Sequence, residues 1–162
     1  MVYDLSKASN TERNDREFVL AAVSKSGISI KYASELFRAD PEIALKAVRQ
    51  NGRALEFVAN HLRDDRKIVL AAITKWAIAL EFASPALQDD REVVFKAVKK
   101  WGIALKHASA RLQADREIVL AAVKRNSAAI KYASNELFTE FDMSGTGRQL
   151  GTGAVTLSRK IQ

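Results

Sequence analysis

Two tryptophans, Trp76 and Trp101, lie 25 residues apart, and lysines flank both of them. Aromatic rings beside cationic side chains are the residue types that anchor protein partners or stack on nucleic-acid bases. A structural alternative is that both indoles fold over the ends of helices as hydrophobic capping contacts. The candidate partner-binding residues are Trp76, Trp101, Lys75, Lys96, Lys99 and Lys100.

Residue types that could support catalysis or metal binding occur, but the additional residues that those activities require do not accompany them. Serines recur at one register, but no general base accompanies them, and a helical Ser beside Ala favours close packing. His61 and His107 hold different registers, and the chain has no Cys for a thiolate metal site. We therefore expect no enzyme activity, no bound metal and no cofactor. The recurring serines are Ser34, Ser84, Ser109 and Ser134.

The C-terminal residues 140–162 contain two fragments of ligand-binding motifs. The segment 142–147 resembles the front of an EF-hand calcium loop, but Gly153 stands where that loop needs a bidentate Glu. The doubled Gly-Thr-Gly could cradle a phosphate, yet the Lys-Ser/Thr of a P-loop is absent. We interpret this segment as a Gly/Thr/Ser-rich tail that becomes ordered on a partner.

The elements that position these residues come from a tandem repeat, in which an Asp opens each copy at a period of 25 residues. A fixed period without insertions indicates a repeat array. Residues 1–139 are predicted to form this array, with residues 3–13 matching the second part of a truncated copy that caps its N-terminus. The five full copies span 15–39, 40–64, 65–89, 90–114 and 115–139.

One copy predicts a helical hairpin. Asp is a favoured N-cap, the apolar residues that follow suit a short buried helix, and a second amphipathic segment comes next. Between the two segments, Gly27, Gly52 and Gly102 are expected in the left-handed conformation, where Ala77 and Ser127 would be strained. Because the connections are very short, successive helices must stack side by side. The predicted fold is an all-α solenoid of five hairpins.

The phrase D-R-E-x-V-x-x-A-V-x-x-x-G-x-A-L-x-x-A-S, clearest at residues 90–109, resembles the domain-of-unknown-function family number 4116. The resemblance covers residues 15–139. It implies a helical tandem repeat without an established activity, and it supplies no catalytic residues.

Charge and composition leave two function classes open. The net charge is +7, but the fourth copy alone carries +4 and the second and third are neutral, so a basic stripe along the array is not expected. A protein-binding or assembly scaffold is therefore favoured over a nucleic-acid-binding repeat protein. The sequence predicts no membrane span or secretory signal, which favours the cytosol or an organelle interior and leaves a removed transit peptide possible.

Overall fold

Each of the five copies folds into the same three elements, as described by a computed structural model for residues 3–143, with side chains to residue 141. A 10-residue α-helix is followed by a six-residue 3₁₀ helix and then by a short helix. The long helices are α2 Arg16–Lys25, α4 Pro41–Gln50, α5 Arg66–Lys75, α7 Arg91–Lys100 and α9 Arg116–Arg125. The 3₁₀ helices are Gly27–Tyr32, Gly52–Phe57, Ala77–Phe82, Gly102–His107 and Ser127–Tyr132. The short helices are α1 Asn10–Arg13, α3 Glu35–Arg38, the 3₁₀ turn Asn60–Arg63, α6 Pro85–Gln88, α8 Ala110–Gln113 and α10 Asn135–Met143.

The second arm of each predicted hairpin is divided in two. In the third copy, Ala83 has extended backbone angles, φ −68° and ψ 158°, and separates the 3₁₀ helix from α6. Ser84 then caps α6, since its hydroxyl accepts the Leu87 N–H at 3.3 Å. The serines at this register thus begin a new helix and do not lie inside one. The fold remains an all-α solenoid.

Every copy buries its apolar residues against its neighbours, so one core runs along the whole array. Among the largest fully buried side chains are Leu and Ile of the long and 3₁₀ helices, such as Leu55, Leu80 and Leu105, each 0% exposed. Backbone bonds also join consecutive copies: the Ser84 N–H donates to the Arg63 carbonyl and the Ser109 N–H to the Gln88 carbonyl, both at 2.9 Å. Stacking of identical units in this way is the defining feature of a solenoid.

The prediction of left-handed glycines is wrong, because Gly27, Gly52 and Gly102 all lack a positive φ. Each glycine instead presses against the long helix of the next copy. A Cβ on Gly27 would lie 2.2 Å from the Ala47 carbonyl oxygen. A Cβ on Gly52 or Gly102 would lie 2.3 or 2.2 Å from the equivalent oxygen. Glycine is therefore needed for close approach of two backbones, and not for an unusual backbone conformation.

Ala77 and Ser127 occupy the glycine position in the other two copies, and the same contact explains both. Ser127 lies in the last full copy, and among residues 3–143 no long helix of a following repeat presses on it. Ala77 is 1% exposed between the third and fourth copies. There α5 and α7 pack less closely than the other neighbouring pairs of long helices. We attribute this wider interface to the room that the Ala77 Cβ requires.

A ladder of ion pairs runs along the starts of the long helices. Arg16 donates to Asp40 and Glu42 of the second copy, Arg66 to Asp90 and Glu92, and Arg91 to Asp115 and Glu117. Arg116 continues the ladder to Glu140, which holds the register of a sixth Asp. Among the junctions between the five full copies, the rung between the second and third is missing, because Pro41 replaces the Arg and Lys67 replaces the acceptor Glu. Donor and acceptor therefore change together.

This ladder predicts acid sensitivity. Although burial raises the pKa of Asp115, the hydrogen bonds from the Ile118 N–H and the Arg91 guanidinium lower it overall. A carboxylate with a depressed pKa stabilises the fold above its unfolded pKa of about 4, and that contribution is lost as the pH falls through the folded pKa. Arg91→Gln should therefore lose less stability than wild type between about pH 6 and about pH 3, as measured by urea unfolding.

The control is Arg49→Gln, which removes an exposed cation that has no ion pair among the described residues. It should keep the wild-type pH dependence. If both variants showed the same dependence, the ladder would not be the origin of the effect.

Candidate interaction surface

The two tryptophans close the long helices of the third and fourth copies. Trp76 is the C-cap of α5 and Trp101 the C-cap of α7, and both have extended backbone angles. Trp101 is 42% exposed, whereas Trp76 is half-buried and its ring lies 6.2 Å from that of Phe82. The two indoles hold equivalent positions in neighbouring repeats, yet the ring contact of Trp76 is to Phe82. The capping interpretation thus describes Trp76 better than Trp101.

The lysines around the tryptophans differ in how far their charge is already engaged within the chain. Lys96 forms an ion pair with Glu92 at 2.8 Å, and Lys99 lies 5.4 Å from the centre of the Phe95 ring. Lys100 donates to the Thr74 carbonyl at the end of α5. Lys75 is exposed at that same helix end. The cations available to a partner are therefore fewer than the sequence indicates.

The arginines of the basic fourth copy are also paired. Arg91 belongs to the ladder, and Arg111 contacts the Asp89 carboxylate at 3.0 Å. Hydrogen bonds from the Ser109 hydroxyl and then from Arg111 hold the pKa of Asp89 below its ordinary value. Asp89 thus stays ionised at neutral pH and offsets part of the positive charge of this copy.

The contacts of two of the recurring serines are structural, and the two histidines differ in burial. The hydroxyls of Ser84 and Ser109 cap short helices and donate to Asp64 and Asp89 of the preceding copies. His107 is half-buried, and burial lowers its pKa, so the imidazole is neutral at pH 7. His61 is exposed. Across residues 3–143 no three His, Cys, Asp or Glu side chains are grouped so as to hold a metal ion.

The two ligand-motif fragments of the tail lie almost entirely outside the described residues. The EF-hand-like segment 142–147 and both Gly-Thr-Gly sequences extend beyond Met143, where the description ends. Before that point α10 continues past residue 139, Glu140 pairs with Arg116, and Phe141 is 6% exposed. The beginning of the predicted tail thus packs onto the fifth copy.

Two recurrent contacts were missed from the sequence. One is the ladder, whose signal was the joint replacement of Arg by Pro41 and of Glu by Lys67. The other lies at the ends of the long helices, where a polar side chain of one copy donates to a carbonyl of the copy before. Gln50 reaches the Lys25 carbonyl and Arg125 the Lys100 carbonyl, both at 3.0 Å. These bonds satisfy carbonyls that a helix end leaves unpaired.

Comparison with protein families agrees with this architecture. The family described as a domain of unknown function, DUF4116, matches residues 3–38, 15–63, 40–88 and 90–138. The chain belongs to the DUF4116 family. No curated protein and no solved structure matched it. Within the part of the chain that the structure describes, none of the DUF4116 helices is long and apolar enough to cross a membrane.

Because the two tryptophans of this DUF4116 array have different surroundings, we expect their replacement to lower the free energy of unfolding by different amounts. Asn is the natural residue at this position in the second and fifth copies, where Asn51 and Asn126 cap the following 3₁₀ helix. Trp76→Asn loses partial burial and the Phe82 contact, so it should be more destabilising than Trp101→Asn by about 1 kcal/mol or more in urea unfolding. The opposite order would show that Trp101 carries the structural contact.

Proposed function

We propose that this DUF4116 chain is a non-catalytic scaffold that binds a protein partner through the surface around Trp101 and Trp76. The observation that carries the proposal is the 42% exposure of Trp101 at a position where the first, second and fifth copies have the polar residues Ser26, Asn51 and Asn126. A large exposed aromatic side chain at a position that other copies fill with polar residues has no evident role in packing one copy against the next. Buried Trp side chains are among the commonest energetic anchors of protein interfaces.

The continuous core of the array supports a scaffold role. The residues around Trp101 are positioned by a continuous core and by backbone bonds between copies, so little conformational order would have to be gained on binding. The lysines Lys75 and Lys99 lie at the same helix ends and favour a partner with acidic groups at its rim. Lys96 and Lys100, which are engaged within the chain, would hold the surface in shape. We further propose that the tail orders on the same partner as a second contact.

A nucleic-acid ligand is the alternative that the net charge of +7 suggests. Recognition of a nucleic-acid backbone needs a row of free cations that can replace counterions. Here Arg16, Arg66, Arg91 and Arg116 all face carboxylates of the following repeat. The protein-binding function is for that reason the better supported of the two.

The test is affinity capture from a lysate of the native source, with wild type and the double variant Trp76→Asn, Trp101→Asn as baits. The asparagines retain the local cap, as Asn51 and Asn126 do, so the variant should fold. We expect wild type to retain a specific protein. The double variant should retain about tenfold less of that protein, or lower still, because it lacks a central aromatic anchor.

The matched control is Leu36→Asn, which removes another exposed apolar side chain, 70% exposed, far from the tryptophans in the first copy. This control should behave like wild type. Equal capture by the double variant would exclude the tryptophan surface. Loss of all capture after nuclease treatment would favour the nucleic-acid function instead.

A further inference from the structure

The ladder shows what the Asp and Glu at the start of the second, fourth and fifth copies bind. Asp90 and Asp115 each use Oδ1 to accept backbone N–H groups of their own helix and Oδ2 to accept an arginine from the copy before. The Arg66 Nε lies 3.3 Å from Asp90 and the Arg91 Nε 3.0 Å from Asp115. In these two rungs Nη2 of the same guanidinium group contacts the Glu two residues later, whereas Arg16 uses Nη2 for both Asp40 and Glu42. The repeat unit thus carries a two-carboxylate site for one guanidinium group.

The first copy has the same two carboxylates without an arginine. Asp15 Oδ1 accepts the Phe18 N–H at 2.8 Å, as in the other caps. Among the described residues, neither Asp15 Oδ2 nor the Glu17 carboxylate has a hydrogen-bond or ion-pair partner. The half-copy before them supplies α1 but no described long helix that could present an arginine. Where the second, fourth and fifth copies have a filled site, the first copy has an unfilled one.

A cavity lies at this unfilled site. It has a volume of about 490 Å³ and is lined by Tyr3, Glu12, Asp15, Glu17 and Phe18, among others. The rings of Tyr3 and Phe18 meet edge to face with centroids 5.2 Å apart. The Lys25 ammonium already lies over the Tyr3 ring, 5.1 Å from its centroid, so the aromatic ring left for a guanidinium group is that of Phe18. A guanidinium group favours an aromatic ring beside carboxylates, because it can stack and form paired hydrogen bonds at once.

The exposure of Phe18 indicates that this face lacks a covering group. Its equivalents in the later copies are 0–2% exposed, because the preceding long helix covers them. Phe18 is only partly buried, although the half-copy packs against the same repeat. The later equivalents are Ile43, Ile68, Val93 and Ile118.

We propose that Asp15 and Glu17, with the ring of Phe18, form a binding site for an arginine side chain of a protein partner. The arginine would occupy the place that Arg16, Arg66 and Arg91 occupy in the rungs between later copies. Its guanidinium group bridges Asp15 Oδ2 and Glu17, and its stem covers Phe18. The site lies in the first copy and is independent of the tryptophan surface of the third and fourth copies.

The test is a titration of the ¹⁵N-labelled full chain with L-argininamide, followed by NMR chemical-shift changes. We expect saturable shifts at Tyr3, Asp15, Glu17 and Phe18, with a dissociation constant in the millimolar range, since the site is exposed and the probe lacks the rest of a partner. L-lysinamide should bind at least about threefold more weakly, because an ammonium cannot form the paired contacts.

Two glutamine variants separate this site from general attraction to carboxylates. Glu17→Gln should weaken argininamide binding about fivefold or more, whereas Glu117→Gln, in the equivalent site that Arg91 fills, should leave the shifts of the first copy unchanged. Both side chains are exposed, and the spectra of the free variants report whether they fold. The absence of saturable shifts, equal binding of lysinamide, or unchanged binding by Glu17→Gln would each overturn the proposal.

Discussion

The structure depends on how closely one copy can approach the next. At Gly27, Gly52 and Gly102 the 3₁₀ helix of one repeat touches the backbone of the following long helix, and a Cβ would lie 2.2–2.3 Å from a carbonyl oxygen. This contact sets the spacing at which the apolar faces of neighbouring copies meet without voids. The ion pairs of Arg66 and the Ser109–Gln88 backbone bond also form at the junction that lacks this glycine, so the close approach determines the packing of the long helices rather than the ladder. Ala77, the internal exception, coincides with the more loosely packed pair of long helices.

At the start of the second, fourth and fifth copies, Asp40, Asp90 and Asp115 each combine two tasks that the sequence presents as one. One carboxylate oxygen begins the helix and the other receives the arginine of the preceding copy. Ion pairs this exposed contribute little to stability singly. Their value here is in register, because a two-carboxylate site accepts the guanidinium group at one stacking position. The joint change at Pro41 and Lys67 fits this function: Lys67 would repel an arginine, and Pro41 provides none.

The sequence predicted the period, the number of copies, the long helices and their Asp caps, because caps and apolar spacing are local properties. It did not predict the division of the second arm, which occurs at the same register whether the residue there is a capping serine, as at Ser84 and Ser109, or Ala59. The role of the glycines was also misassigned, since close approach between copies is a tertiary contact and the same residue type serves both purposes.

The sequence also predicted part of the candidate site, again because the position of a residue within the repeat is a local property. The register of Trp76 and Trp101 could be predicted from the period, which places both at helix ends. Their unequal burial could not, because it depends on the Phe82 ring and on packing at the third and fourth copies. Likewise, the lysines were identified as a group, but their engagement with Glu92, Phe95 and Thr74 depends on side-chain geometry.

The central claim is that glycine is required for close stacking, and the free energy of unfolding of Gly52→Ala tests it most directly. Helix propensity alone predicts a gain of up to about 1 kcal/mol from this change. The close contact with the Ala72 carbonyl predicts a loss of about 2 kcal/mol or more. Ser127→Ala, at the same position but with no long helix of a following repeat against it in the part of the chain that the structure describes, should change stability little. An unchanged or increased stability of Gly52→Ala would contradict the account.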